Sequence, residues 1–190
     1  MKVAVFGGSF DPVHNGHLNV VSELLSLEKF DKILVLPSKN SFFGKKLHPF
    51  SARLEMARIA FSNFDSRVEV SDFEGRNGIE STFELAAALE KAHPEWEFVF
   101  VIGSDAVLDL GKWKDNERLL ENTKFLVISR KGFPAVELPS HNFEFVRAKV
   151  ELEISSTDIR NRIKNFEKFS HLVPVDVEDY VNDKGLYGIN

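Results

Sequence analysis

The segment Val3–Leu27 constrains the fold more than any other stretch. Val3–Phe6 is a short, unbroken apolar run that ends on Gly7-Gly8. An Asp11-Pro12 turn follows, then His14 and His17, then Leu18, Val21, Leu24, Leu25 and Leu27 at helical spacing. A strand that is apolar at every position suits burial on both faces, as in a parallel sheet, and a parallel neighbour needs a crossover helix. Short runs rich in Val, Ile and Phe recur at Lys32–Leu36, Arg67–Ser71, Glu97–Ile102, Lys124–Ser129 and Phe143–Ala148. Helical patterns separate them at Gly16–Glu28, Ser51–Phe61, Thr82–Ala92, Trp113–Glu121 and Ser156–Phe166. The alternation predicts an α/β fold with a doubly wound, mostly parallel sheet and right-handed crossovers. The long polar segments Pro37–Pro49 and Gly132–Asn142 read as functional loops rather than linkers, so residues 1–190 are expected to form one domain.

Such a sheet places its ligand beyond the carboxyl ends of the strands. Gly7-Gly8 lets a nucleotide approach the backbone there, and the free N–H groups of the next helix favour a phosphate. His14 and His17 then stand at that helix start, where an imidazole can donate to a phosphate oxygen, more strongly when protonated. A GxxxxGK[ST] loop is absent, and GGSFDP does not supply GxGxxG spacing. Asp11 is expected to cap backbone N–H groups of its own turn.

The segment ISSTDIR, Ile154–Arg160, offers a second helix start with clustered hydroxyls and a guanidinium. Ser155 with Asp158 has the spacing of a capping box, so capping alone would explain part of it. A third piece, FVFVIGSDAVLDLGKW, ends a buried strand at Gly103 and continues through Asp105 to Trp113. Asp105 suits either a hydrogen bond from ribose or adenine, or the capping of a short helix over Ala106–Leu110.

Net charge sets limits on partners. At −5 the chain lacks the basic surface that a nucleic-acid binder needs to displace counterions. It has no Cys, which excludes disulfides and thiolate chemistry. No apolar run is long enough to span a membrane, and the N-terminal apolar run is too short for a signal-peptide core. A cytoplasmic protein with no nucleic-acid or membrane partner is expected, and a homo-oligomer is left open.

GGSFDPVHNGH resembles the signature of the HxGH nucleotidyltransferase superfamily. The likeness to bacterial nicotinate-nucleotide adenylyltransferases runs nearly end to end, through VIGSDAVLDLGKW, FLVISRKGFP, ISSTDIR and LVPVDVEDYVNDKGLY. It implies a Rossmann-like nucleotidyltransferase fold that transfers AMP from ATP to nicotinate mononucleotide in NAD biosynthesis. It further implies His14, His17 and Arg160 as catalytic groups acting on the triphosphate. Gly7, Gly8, Ser9, Phe10, Gly16, Gly103, Asp105, Ser156 and Thr157 would contact ATP. Trp113 would stack on the pyridine ring, and Lys45 or Lys46 would meet the acceptor. Mg²⁺ would arrive on the ATP phosphates, with no metal ligands of the protein's own. Two departures bear on the acceptor. Ser41–Lys46 replaces a PPHK-like stretch, with His48 displaced, and Ile79–Phe83 lacks the Tyr of an S-Y-T turn and carries Glu80. Nicotinamide mononucleotide as acceptor, or another HxGH adenylyl- or cytidylyltransferase, remain the alternatives.

Overall fold

The computed structural model describes residues 1–40, 44, 46–133 and 138–188. Six parallel strands form one sheet: β1 (Lys2–Gly8), β2 (Lys32–Pro37), β3 (Val68–Val70), β4 (Glu97–Gly103), β5 (Lys124–Ile128) and β6 (Phe143–Val146). Their order is β3-β2-β1-β4-β5-β6. The chain winds outward one way from β1 and then returns to lay β4 against its other side. The strand ends splay apart at that reversal, and a crevice opens between β1 and β4.

Side-chain alternation along each strand divides the apolar residues into two cores. On one face Ala4, Ile33, Val35, Val101 and Leu126 pack with helices α1 (Asn15–Ser26), α2 (Phe50–Phe61), α7 (Ser156–Lys164) and α8 (Val175–Asp183). On the other, Val3, Val5, Leu34, Phe98, Phe100 and Phe125 pack with α4 (Thr82–Ala92) and α6 (Asn116–Asn122). Burial on both faces is why the central strands read as continuous apolar runs. Two short helices, α3 (Phe73–Asn77) and α5 (Ser104–Val107), complete the described set.

Helix ends depart from the expected ranges where a non-glycine residue turns left-handed. Glu28, Asp115 and Phe166 have φ of 52°, 54° and 57°. The first and last stop α1 and α7 short of the expected ends. Asp115 breaks the expected Trp113–Glu121 helix, so α6 begins only at Asn116. The short helix expected over Ala106–Leu110 begins at Ser104 instead, as α5.

Candidate active site

The crevice at the β1–β4 reversal holds a cavity of about 480 Å³. Gly7 and Gly8 reach it from β1, His14 and His17 from the start of α1, and Gly103 and Asp105 from the end of β4. Ser156, Thr157 and Arg160 enter from the first turn of α7, and Trp113 and Lys46 line it too. The two helix starts separated by most of the chain therefore face one space. Lys45 lies outside the described residues.

His14 is the N-cap of α1, with extended backbone. Its N–H donates to His17 Nδ1 at 3.1 Å, and the two rings stack with centroids 3.7 Å apart. That hydrogen bond decides a tautomer. A nitrogen that accepts carries no proton, so neutral His17 holds its proton on Nε2. The His17 ring is further held against Phe10, at 4.7 Å between centroids. Phe10 is buried at φ 47°, so its ring supports the imidazole from below and leaves only its backbone for a ligand. Gly16 has a local reason as well. A Cβ there would meet the His14 ring at 2.9 Å, so glycine makes room for the imidazole.

Burial, with the nearby Arg130 guanidinium, lowers His14 from 6.5 to about 3. Burial pushes His17 well down too, helped by His14 and Arg130. Both rings are therefore neutral near pH 7, and each donates as an uncharged imidazole. Positive charge at the cavity comes from Arg130, Arg160 and Lys46 instead. The shift also carries a stability consequence. Below pH 6.5 the unfolded chain binds a proton that folded His14 refuses, so stability falls with pH until about 3. The expected slope is about 1.4 kcal/mol per pH unit from this group. Urea unfolding from pH 7 to pH 5 should show His14→Asn shallower than wild type by that amount; equal slopes would contradict it.

Gly103 and Asp105 both line the cavity, and only the expected capping by Asp105 is not seen. A Cβ on Gly103 would run into Asp105 Oδ1 and approach Arg130 Cδ to 2.9 Å. The glycine thus clears space for an ion pair in which Arg130 Nη1 donates to Asp105 Oδ2 at 2.7 Å. Asp105 sits inside α5 and makes no cap, since the N-cap is Gly103. Arg130 follows β5, and sequence reasoning did not single it out although it ends the S-R of FLVISRKGFP.

At α7, Ser155 is the N-cap and accepts from the Asp158 N–H at 3.1 Å. The Asp158 carboxylate binds Arg162 at 2.9 Å instead of closing the capping box. Ser156 Oγ donates to the Pro12 carbonyl at 2.9 Å, so its proton is not offered to the cavity. Arg160 Nη1 donates to the Asp11 carbonyl at 2.6 Å and Nη2 to Thr157 Oγ1 at 3.2 Å. Asp11 does not cap its own turn. Its carboxylate, 1% exposed, accepts from Tyr187 Oη at 2.8 Å and from the remote His48 N–H at 3.3 Å.

Arg53 is a second residue missed from sequence. It lies on α2 and is 1% exposed. Its Nε donates to His48 O at 2.9 Å, and Nη1 to Ser9 O at 2.7 Å and Ser38 O at 2.8 Å. Nη2 donates to Lys39 O at 3.3 Å. One planar fork thereby ties the loop after β1 to the loop after β2. A signal existed: Arg53 shares a helix face with Ala57 and Ala60, both buried. Glu74 lies close by, pushed up to about 7 by burial, although the Lys39 N–H and the Arg53 charge oppose the shift. Glu80, by contrast, is exposed and absent from the cavity lining, so it places no charge in the site.

A cytidylyltransferase-like family model matches residues 5–162. The nicotinate-nucleotide adenylyltransferase of Bacillus subtilis is 35% identical over 194 residues, covering 98% of both chains. A probable nicotinate-nucleotide adenylyltransferase of Clostridium tetani is 33% identical over 203 residues, again covering 98% of each. Among solved structures, Plasmodium falciparum nicotinic acid mononucleotide adenylyltransferase complexed with NaAD superposes with a TM-score of 0.89. It spans 100% of this chain and 98% of that one at 23% identity, a likeness of fold. The chain belongs to the cytidylyltransferase-like family of nucleotidyltransferases, among the nicotinate-nucleotide adenylyltransferases.

Proposed function

We propose that the protein, as a single domain, transfers AMP from ATP to nicotinate mononucleotide, forming nicotinate adenine dinucleotide and pyrophosphate. The observation that carries the reading is a donor-lined cavity fed by two helix starts. His17, whose neutral tautomer carries its N–H on Nε2, and Arg160 both line it. The acceptor's 5′-phosphate oxygen attacks the α-phosphorus of ATP, and the bond from that phosphorus to the bridging oxygen breaks. The electron pair leaves with pyrophosphate. A phosphate nucleophile is already ionised at neutral pH, so the step needs no general base and no covalent intermediate. Catalysis rests on alignment and on donors aimed at developing charge.

His14 and His17 serve as neutral donors to the α- and β-phosphates. Arg160 stabilises the leaving pyrophosphate, and the amides after Gly8 face the bridging region. Arg130 adds charge at the same cavity, and Asp105 holds it ready by the ion pair. Trp113 and Lys46, which line the same cavity, would meet the acceptor. Among the described residues no three His, Asp or Glu side chains gather to hold a metal. Those residues fit Mg²⁺ carried on the triphosphate, where it would neutralise phosphate charge. A cytoplasmic enzyme acting on small nucleotides, without nucleic-acid or membrane partners, completes the reading. No helix among the described residues is long and apolar enough to cross a membrane.

Glu80 is exposed and does not line the cavity, and the acidic Asp105 that does is paired with Arg130, so neither stands as a free charge against a nicotinate carboxylate. Side-by-side turnover with ATP and Mg²⁺ should favour nicotinate over nicotinamide mononucleotide by about tenfold or more in kcat/KM. Equal or better turnover of the amide would reject the acceptor, and no pyrophosphate from either would reject the transfer.

A further inference from the structure

Tyr187 stands far along the chain from the turn it touches. It is 4% exposed and left-handed at φ 63°, and its hydroxyl donates to Asp11 Oδ1 at 2.8 Å. The same carboxylate accepts the His48 N–H, and His48 Nδ1 lies 3.3 Å from Oδ1. A carboxylate this deeply buried needs such partners, because water cannot replace them. The backbone of the same turn is engaged as well. Its carbonyls, Asp11 O and Pro12 O, accept from Arg160 Nη1 at 2.6 Å and Ser156 Oγ at 2.9 Å. Two residues thus join the end of the described chain to the start of α7. Pinning the side chain limits where the carbonyls of the same turn can stand.

We propose that Tyr187 is a positioning residue for the transfer step, holding Asp11 so that the Asp11 carbonyl aims Arg160 into the cavity. Tyr187 touches no substrate in this role. Its loss leaves the other phosphate contacts in place and misplaces the guanidinium that meets the leaving group. The cost therefore falls on kcat rather than on KM for ATP, as for an interaction made chiefly in the transition state. A tyrosine that merely fastened the chain end to the core would lower the melting temperature and leave kcat alone.

The inference rests on the proposed adenylyl transfer, and one set of assays separates the two. Pyrophosphate release is measured on the full chain well below its melting transition, for wild type, Tyr187→Phe, Asp11→Asn and the double variant. Tyr187→Phe should lower kcat about tenfold with KM for ATP within about twofold. The double variant should lose no more than the worse single one, because both changes release the same anchor of the Asp11 side chain. Unchanged kcat in Tyr187→Phe, or losses that add in the double variant, would overturn the proposal while wild-type turnover leaves the transfer reading intact. A wild type that releases no pyrophosphate sinks the transfer reading instead. If Tyr187→Phe does not fold, Asp11→Asn carries the test: one of its two oxygens becomes an NH2 that cannot accept, so the side chain no longer holds the Tyr187 hydroxyl and the His48 N–H on separate oxygens, and a wild-type kcat in it is an overturning result.

Discussion

His17→Ala is expected to cut kcat by roughly a hundredfold, about 3 kcal/mol of transition-state stabilisation, the scale of one lost oxyanion donor. The reasoning runs through the tautomer. The His14 N–H occupies Nδ1, so the only proton His17 has is on Nε2. Burial keeps the ring neutral, so it is a donor at any pH near neutrality and loses nothing by deprotonation. Alanine removes that donor and the contact with Phe10. The fold should survive at a cost of about 1 kcal/mol, since His17 is half-buried and every strand keeps its packing. Pyrophosphate release at saturating substrates, with a thermal melt beside it, measures both. A variant that turned over at the wild-type rate would remove His17 from the site.

Arg53→Met is expected to have the largest effect on stability, about 3–5 kcal/mol. Methionine keeps the length and apolar stem of the side chain and deletes its donors. Four carbonyls, of Ser9, Ser38, Lys39 and His48, would then lose the guanidinium that serves them all. Asp11 would also lose a favourable buried charge. Against a total stability of about 5–15 kcal/mol, such a loss is a large fraction, worth on the order of 10 °C in melting temperature. Arg53→Lys should recover only a minority of it, because one ammonium cannot reach carbonyls spread along a planar fork. Urea midpoints for the three proteins decide it. Melting of Arg53→Met within about 2 °C of wild type would show that the carbonyls find other partners.

Legibility varied with the range of the cause. Thr82–Ala92 forms where expected because Ser81 caps it, accepting from the Glu84 N–H, and both residues are visible in the sequence. The strands end within two residues of their expected limits, and for β1, β2, β4 and β5 burial on both faces writes an apolar run. Helix α8 was passed over although Pro174, an acidic first turn and Val177 with Val181 marked it. The ends at Glu28 and Phe166 could not be seen, because no glycine announces their left-handed backbone. Of the residues that line the cavity, His14, His17, Gly16, Thr157 and Arg160 are legible as motifs. Arg130, Arg53 and Tyr187 are not, because each acts through partners distant in sequence.

Taken alone, the sequence determined the class of fold, the strand count on both sides of the chain reversal, and two helix starts fit for anions. Periodicity and capping are local, so they survive in a string of letters. The tertiary structure decided which imidazole nitrogen holds the proton, that both rings are neutral, and that Arg160 answers to a turn 149 positions away. Those outcomes depend on burial and on charges brought together by the folded sheet, and neither has a period to read.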